Sequence, residues 1–471
     1  MASLFAERAF RHDSIPFDPA RDLQSSDNPV IQELRETVPD LKIYTRSSPR
    51  YESVRQVYNL LNKAQPLVIC RPQSIPQVQA IVRTAARFDA PLAVRCGGHD
   101  VWGRGCIADS VTIDMREMDT QQLATGGSSV TIGGGVTSDN FVGFLHSHGL
   151  CTANGTAGHV GWTGWAIWGG YGPLNDYVGL GVDNILAAKM VTATGDLVEA
   201  DEDLLWGIRG AGGNLGVIVE TRVKVYPIHR ILAGFIGYSW DEAEAVLLKL
   251  QSLLDNGVPN SLCVQIGFMK SEWGIGMTLI FIWPAPDLDE GKKWLEMVRD
   301  LGTVVVDTVA ETTFKDFQKI TSRPVTDPAN VYTRSASIPS FTTATVAELK
   351  QRIEAIPDTR QYNVIAHIGH GKSTEPNPSS CFATRQPHVL FHINACDEAD
   401  EMTGAAAWVD EVVSGLKSTG ELMKPVYVSF MGEDENTDQS FGDGWERLKA
   451  LKRRHDAKDT FRHAQPKLPP M

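Results

Sequence analysis

Long apolar runs are missing from this chain. The longest, GIGMTLIFIWP (Gly274–Pro284), is about half of the ~20 residues a membrane helix needs, so no span is predicted. Positive charge is also short: 44 lysines and arginines stand against 57 acidic residues, a net charge of −13. A chain of that sign repels nucleic-acid phosphates and anionic lipid, which argues against both as partners. The basic run KALKRR (Lys449–Arg454) reads as a solvated helix face. Cysteine is sparse, with seven residues at irregular spacing and no Cys-x-x-Cys pair, so no disulfide framework is predicted. The opening residues, MASLFAERAFRHDSIPFDPARD, carry charges throughout and lack the apolar core of a secretory signal. A cytoplasmic protein with reduced thiols is expected. Internal repeats and low-complexity segments are absent as well.

What remains is 471 residues of ordinary globular composition, enough for two domains or one domain with a large insertion. A helix is predicted at Ile31–Val38, followed by a βαβ-like unit. PLVICRP reads as a buried strand, Ser74 and Gln77 as a capping box with Pro76 in the first turn, and PLAVRC as the next strand. Strands at Val111–Met115 and Val130–Ile132 precede a helix at Asp139–His148 and a hairpin turning at Thr194-Gly195. The stretch LLWGIRGAGGNLGVIVETRVKVYP reads as a short helix, a glycine turn and a long strand. From about residue 229, helices (242–256, 289–301, 346–355, 398–418) alternate with strands (261–269, 277–283, 362–369, 389–395). PVYVSF reads as a last strand before an amphipathic helix around Trp445, Leu448 and Leu451.

Glycine is concentrated in three loops, near residues 96, 160 and 211, and residues 151–172 hold seven glycines and three tryptophans. No P-loop is present. Gly210-Ala-Gly212-Gly-Asn-Leu215 precedes a strand rather than a helix, which defeats a dinucleotide-binding reading. Backbone N–H groups in such loops bind pyrophosphate as nests, and interleaved tryptophans offer a bed to a flat ring system. A planar, phosphate-bearing cofactor such as FAD meets both demands. Close-packed turns in a glycine-rich sheet are the plainer alternative.

Five segments in order, CRPQSIPQVQAIV with PLAVRCGGHD, AGHVGWTGWAIWGGYGPLNDYVGLGVDNIL, LLWGIRGAGGNLGVIVE, YVSF and ERLKALKRRHDAKDTF, resemble the vanillyl-alcohol oxidase superfamily in its berberine-bridge-like branch of FAD-linked oxidases. The resemblance implies an α+β fold. Residues 1–228 (core 62–228) and 425–471 would form a two-part FAD-binding domain, and 229–424 an inserted substrate domain, an antiparallel sheet backed by helices. It implies FAD bonded through His99, in the loop Arg95, Cys96, Gly97, Gly98, His99, Asp100. The motif that supplies a second, cysteine link in doubly bonded members falls on Ala157, Gly158, His159, Val160 and Gly161. It has alanine at the cysteine position, and Cys151 lies six residues too early. A single covalent link is therefore expected. Val160 falls where small side chains leave room for dioxygen. Gly164, Trp165, Gly170, Tyr171, Gly172, Val217, Ile218, Ser429 and Phe430 complete the implied cofactor-binding set.

On the substrate side the resemblance points to His392 and His367, on neighbouring strands, as candidate bases, with Tyr427 as a further catalytic candidate. Imidazole accepts a proton near neutral pH. Where sugar-oxidising relatives carry a tyrosine base, this chain has Phe430, which cannot take a proton. His367, His370 and His388 raise the question of a metal, but strand alternation sends His367 and His370 to opposite faces, so no metal site is expected. The implied activity is oxidation of a small alcohol or secondary-metabolite substrate by hydride transfer to flavin N5, with dioxygen reduced to hydrogen peroxide. An oxidative cyclase or dehydrogenase with the same site, and a flavin-binding protein without turnover, are the alternatives. Oligomeric state and substrate identity are not legible.

Overall fold

A computed structural model describes residues 27–271, 274–322, 327–357, 361–397, 402–464 and 467–468. The opening segment of the sequence reading lies outside these residues, as does the start of the helix expected from 398.

The first sheet joins β1 (Lys42–Thr45), β2 (Val68–Arg71), β3 (Leu92–Arg95) and β4 (Val111–Asp114) in the order β1-β2-β4-β3, with β4 parallel to both neighbours. Helix Ile75–Arg87 crosses between β2 and β3, burying Val78, Ile81, Val82 and Ala85 on one stripe. Its expected capping box is not made. Gln77 instead accepts the Gln73 N–H at 2.6 Å, and Ser74 makes no side-chain cap.

Next come β5 (Gln121–Leu123), β6 (Ser129–Gly133), β7 (Leu150–Cys151), β8 (Ile185–Val191), β9 (Leu197–Glu199), β10 (Val217–Lys224) and β11 (Tyr226–Pro227). Five of them form an antiparallel sheet, β5-β6-β10-β8-β9, while β7 pairs with β11. The C-terminal helix Trp445–His455 returns to this region. Leu448 and Leu451 share a core with Ile208, Leu215, Ile132 and Met190. Lys452, read from sequence as part of a solvated face, is buried and donates to Asp456 at 2.7 Å and to the Asn214 carbonyl at 3.1 Å.

The largest sheet uses β12 (Ile231–Tyr238), β13 (Cys263–Ser271), β14 (Gly274–Trp283), β15 (Val304–Asp307), β16 (Ala310–Thr312), β17 (Asn330–Ile338), β18 (Gln361–Gly369) and β19 (His388–Asp397). All its pairings are antiparallel, in the order β15-β12-β14-β13-β18-β19-β17, with β16 beside β12. The two faces differ, as expected for an antiparallel sheet with unlike surroundings. Ile266, Phe268, Val364, Ala366, Phe391 and Ile393 meet Val246, Leu250, Leu349, Val409 and Val412 of the backing helices. The opposite face carries Gln265, His367 and His392. The architecture is α+β, with an antiparallel sheet backed by helices. Among the described residues no helix is long and apolar enough to cross a membrane.

The PVYVSF segment is not a strand. Val428–Phe430 forms a 3-10 turn, with the Tyr427 N–H donating to Ser335 Oγ at 3.2 Å and the Val426 N–H to Ser440 Oγ at 3.2 Å. These side-chain acceptors replace a strand partner, so β-propensity is overridden.

Candidate active site

The RCGGHD loop starts from a buried charge cluster. Asp114 is fully buried and accepts from Arg71 Nε at 3.1 Å and Arg95 Nη2 at 2.9 Å, with Arg116 Nε 3.3 Å away. Burial alone pushes this carboxyl up; Arg116, Arg95 and Arg71 together outweigh it and hold it well below the usual carboxylate range. Arg95 also donates to the Val54 and Arg55 carbonyls, so its side chain is spent inside the protein. The Cys96 thiol donates to the Val136 carbonyl at 3.7 Å and is pushed up to about 12, chiefly by burial.

At Gly97 the loop meets the second glycine loop backbone to backbone. A Cβ there would collide with the His159 carbonyl and lie 2.7 Å from Gly161 N. Gly98 has φ 72°, a conformation that favours glycine. The His99 ring stacks on Tyr58, centroids 4.6 Å apart and 21° between planes, and lies 6.4 Å from the His159 ring. Burial first, then His159 and Arg116, lower its pKa to about 3, so its imidazole is neutral at physiological pH. Asp100 folds the loop exit, accepting from the Trp102 and Arg104 N–H groups at 3.1 and 3.0 Å and from Arg104 Nε at 2.6 Å. Trp102 Nε1 then donates to the Phe430 carbonyl and Arg104 Nη2 to the Ser429 carbonyl, both at 3.0 Å. The loop is thereby tied to the C-terminal segment.

In the second loop, Ala157 to Gly161, the start of helix Ser138–Ser147 takes two carbonyls. Ser138 N–H donates to Val160 O and Asp139 N–H to Gly158 O, each at 2.9 Å. The tryptophans that follow pack inward. Trp162 is fully buried and donates to the Ala153 carbonyl, while Trp168 lies against Gly213. Trp165 lies against Gly155, Gly170, Gly172 and Gly181 and donates to the Tyr171 carbonyl at 2.9 Å. The sequence reading of the tryptophans as a bed for a flat ligand is corrected for Trp162, whose ring is consumed by the core. Gly164 is exposed and has open space around it. Val217 and Ile218 open β10, buried opposite Val191 and Met190.

The sheet register puts Ile365 opposite His392 and His367 opposite Leu390, so both histidines share one face. Hydrogen-bond partners fix the proton positions of two nearby rings. His388 Nδ1 lies 2.8 Å from the Gln386 carbonyl, which only accepts, so Nδ1 carries the proton and Nε2 accepts the Tyr171 hydroxyl at 2.8 Å. Gln265 Nε2 donates to His367 Nδ1 at 2.9 Å, which places that ring's proton on Nε2. His392 differs. Its ring stacks on Phe430 at 3.7 Å and 12°, and its Nε2 is sealed from solvent without a hydrogen-bond partner. Burial depresses all three: His392 to about 3, with His367 adding to the effect; His367 to about 4, with His388 adding; and His388 in the same direction.

Tyr427, the further catalytic candidate, packs edge-on against the Phe430 ring at 5.2 Å. The Tyr427 hydroxyl accepts the Gly170 N–H at 3.2 Å and its ring meets Tyr171 at 5.0 Å. Gly170 has φ 79°, and Gly172 leaves no room for a Cβ against the Asn154 carbonyl. Three features escaped the sequence reading. Tyr58 and Gln265 carry no motif, whereas Gly133-Gly-Gly135, pressed against Met118, Ile218 and Met115, was visible as a glycine run. No group of three or more histidine, cysteine, aspartate or glutamate residues among those described is arranged to hold a metal.

Residues 66–201 match the family model described as FAD binding domain. The FAD-linked oxidoreductase aurO of Gibberella zeae is 53% identical over 474 residues, taking in 100% of this chain and 94% of that protein. The (R)-6-hydroxynicotine oxidase of Paenarthrobacter nicotinovorans is 32% identical over 267 residues, 55% of this chain and 58% of the relative. Among solved structures, the xylooligosaccharide oxidase of Myceliophthora thermophila in complex with xylobiose superposes with a TM-score of 0.84 at 20% identity, covering 94% of this chain and 99% of that one. That identity shows a shared fold alone. The residues present fit a flavin: a neutral, half-buried His99 beside a backbone-lined glycine junction, and three buried polar atoms, Ser138 Oγ, Thr163 Oγ1 and His392 Nε2, without a protein partner.

Proposed function

Because the chain belongs to the berberine-bridge-like FAD-linked oxidoreductases of the vanillyl-alcohol oxidase superfamily, we propose that it is an oxidase carrying FAD on a single covalent bond from His99 and oxidising a small, uncharged alcohol-type substrate. Bound FAD would supply a two-electron acceptor for the substrate, with dioxygen as the final oxidant and hydrogen peroxide as its product. The chain's own residues do the rest. His99, neutral in its half-buried loop, holds the cofactor. The backbone of residues 96–100 and 157–161 frames it, and Ser429 and Phe430 close the frame through Trp102 and Arg104.

The observation that carries the reading is the buried, unpartnered Nε2 of His392. His367 has Nδ1 committed to Gln265, and His388 has both nitrogens engaged. His392 Nε2 is therefore the acceptor for the substrate's hydroxyl proton. Its low basicity means that it takes this proton as hydride leaves rather than beforehand. His367 is next in line, and Tyr427 positions Gly170 through its hydroxyl.

Gln265, Ser335, Tyr171, Tyr427 and Phe430 bear no formal charge, and the three histidines beside them are neutral. Such a wall penalises a substrate that arrives as a cation or carboxylate. The arrangement also favours a two-part cofactor domain (1–228 and 425–471) around an inserted substrate domain (229–424), since β12–β19 fall within the insertion and the last helix packs on Ile208 and Leu215.

The test is the absorption spectrum of the purified protein, then a panel of alcohols and amines with peroxide detection. Stoichiometric peroxide with a neutral alcohol supports the oxidase. Substrate oxidation without peroxide turns the reading toward a dehydrogenase or cyclase. A flavin reducible by dithionite but by no substrate leaves only a binding protein.

A further inference from the structure

We propose that Tyr58 is the positioning residue that makes His99 competent to bond the flavin, an inference that rests on the covalent reading above. The Tyr58 ring lies 4.6 Å from that of His99 with 21° between their planes. An imidazole on a single methylene turns about two torsions. A stacked neighbour removes most of that freedom and leaves the ring in one plane.

The stack is itself anchored from two sides. The Tyr58 N–H donates to the Gly98 carbonyl at 2.9 Å, so the residue is pinned to the glycine that precedes His99. The Tyr58 carbonyl accepts the Ala329 N–H at 3.1 Å, and Leu60 N–H donates to the Ala329 carbonyl at 2.9 Å. Asn59 extends the junction. Its Nδ2 donates to Val101 O at 2.6 Å and Val331 O at 2.9 Å, while its Oδ1 accepts the Val331 N–H at 3.1 Å. Residues 58–60 thus join the attachment loop to β17 of the large sheet, which fixes the backbone that carries the Tyr58 ring.

Chemistry explains why ring placement matters. The bond forms between a His99 ring nitrogen and the flavin's 8-methyl carbon. One hydrogen leaves each atom, and the two electrons released reduce the flavin, from which dioxygen, the oxidase's own acceptor, removes them as hydrogen peroxide. The nitrogen must offer its lone pair along the line to that carbon, and misaligned rings lose rate steeply. The aromatic face also shields His99 from water, in keeping with its neutral state. The Tyr58 phenol, pushed up by burial, stays neutral and adds no charge.

The experiment compares full-length parent, Tyr58→Phe and Tyr58→Leu, each produced with FAD available. Flavin per chain is measured in the native protein, and the covalent share is the flavin that stays with the acid-precipitated protein over time. Tyr58→Phe keeps the ring and is expected to match the parent. Tyr58→Leu is expected to bind as much total flavin but to form the bond on the order of tenfold more slowly. Attachment at the parental rate in Tyr58→Leu overturns the proposal. So does equal impairment in Tyr58→Phe, which would assign the effect to the hydroxyl, or a parallel loss of total flavin, which would make Tyr58 a general binding residue. Peptide mapping of the parent separates these outcomes from failure of the covalent reading: flavin absent from the His99 peptide sinks that reading, and this inference with it.

Discussion

Replacing His392 with phenylalanine isolates the proposed proton acceptor from the wall it helps to form. The native imidazole stacks on Phe430 at 3.7 Å, a contact that a phenyl ring in its place can preserve. What disappears is Nε2, buried and without a partner. Losing a positioned base slows a reaction roughly 10² to 10⁴-fold. At about 1.36 kcal/mol per tenfold, that raises the barrier by about 2.7 to 5.4 kcal/mol. Stability should move the other way or not at all, because an unpaired buried polar atom costs about 1–3 kcal/mol. His392→Ala should slow the reaction similarly but also leave a cavity beside Phe430. The assay is anaerobic stopped-flow reduction of the flavin by a substrate found in the panel, with urea unfolding alongside. Because burial lowers the His392 pKa to about 3, the group is neutral throughout the working range. The native reduction rate should therefore show no fall between pH 9 and pH 5 from this residue. A phenylalanine variant that reduces at the native rate refutes the assignment. One that is slow only because it is several kcal/mol less stable refutes the energetic argument.

Four further outcomes follow from the geometry. Val160→Leu should slow flavin reoxidation by dioxygen in stopped-flow while sparing reduction; an unchanged reoxidation rate removes Val160 from the oxygen path. Gly97→Ala should drive the His159 carbonyl from the attachment loop and lower flavin per chain, as read from absorbance; full occupancy would mean the two loops separate freely. Asp114→Asn leaves three guanidinium groups sharing no anion and should cost about 3–5 kcal/mol, a large part of the roughly 5–15 kcal/mol expected of a domain. Denaturant midpoints would show it. Between about pH 6.5 and pH 4 the unfolded chain takes up protons that His367 (about 4) and His392 (about 3) refuse in the folded state. Stability should thus fall with acidification by up to ~1.4 kcal/mol per pH unit for each histidine and be flat in this respect above pH 7. The check is a His367→Gln, His392→Phe double variant, whose slope should fall by the share of those two histidines while His99 keeps its own.

Elements with a clean hydrophobic period were legible in the sequence. Helix Ile75–Arg87 carries its stripe where expected, and the hairpin at Thr194-Gly195 joins β8 to β9. β17 was not legible, because NVYTRSASI carries Thr333, Arg334, Ser335 and Ser337, whose burial comes from tertiary partners rather than apolarity. Arg334, for example, is held by Asp434 and Glu435 from the C-terminal segment. PVYVSF failed in the opposite sense: β-branched and aromatic residues promised a strand, and side-chain acceptors on Ser335 and Ser440 made a turn. Helix Phe314–Ser322 was passed over although Phe314 and Phe317 are buried three residues apart.

The site divides along the same line. The turn that presents His99 was legible because its motif is local: arginine, glycine turn and histidine within five residues. His392 and His367 needed strand register, which the sequence offered only through the resemblance. Tyr58, Gln265 and His388 act through partners far along the chain, and no local pattern marks such contacts. Cys151 shows the converse benefit of structure. Sequence distance made it a poor second attachment point, and the fold adds a reason, since β7 pairs it with Tyr226 in a buried cluster with Val142, Ala153 and Phe314. Burial also pushes its thiol up to about 12, far from a thiolate.

That single attachment is the claim on which cofactor, loop and chemistry converge, and mass-spectrometric mapping of the flavin peptide tests it most directly. Denatured protein should stay yellow, and proteolysis should yield one flavin-bearing peptide, containing His99, with Cys151 recovered as an alkylated free thiol. His99→Ala should release all its flavin on denaturation. Flavin recovered on a peptide containing Cys151, or a parent protein that loses its flavin entirely on denaturation, would contradict the account.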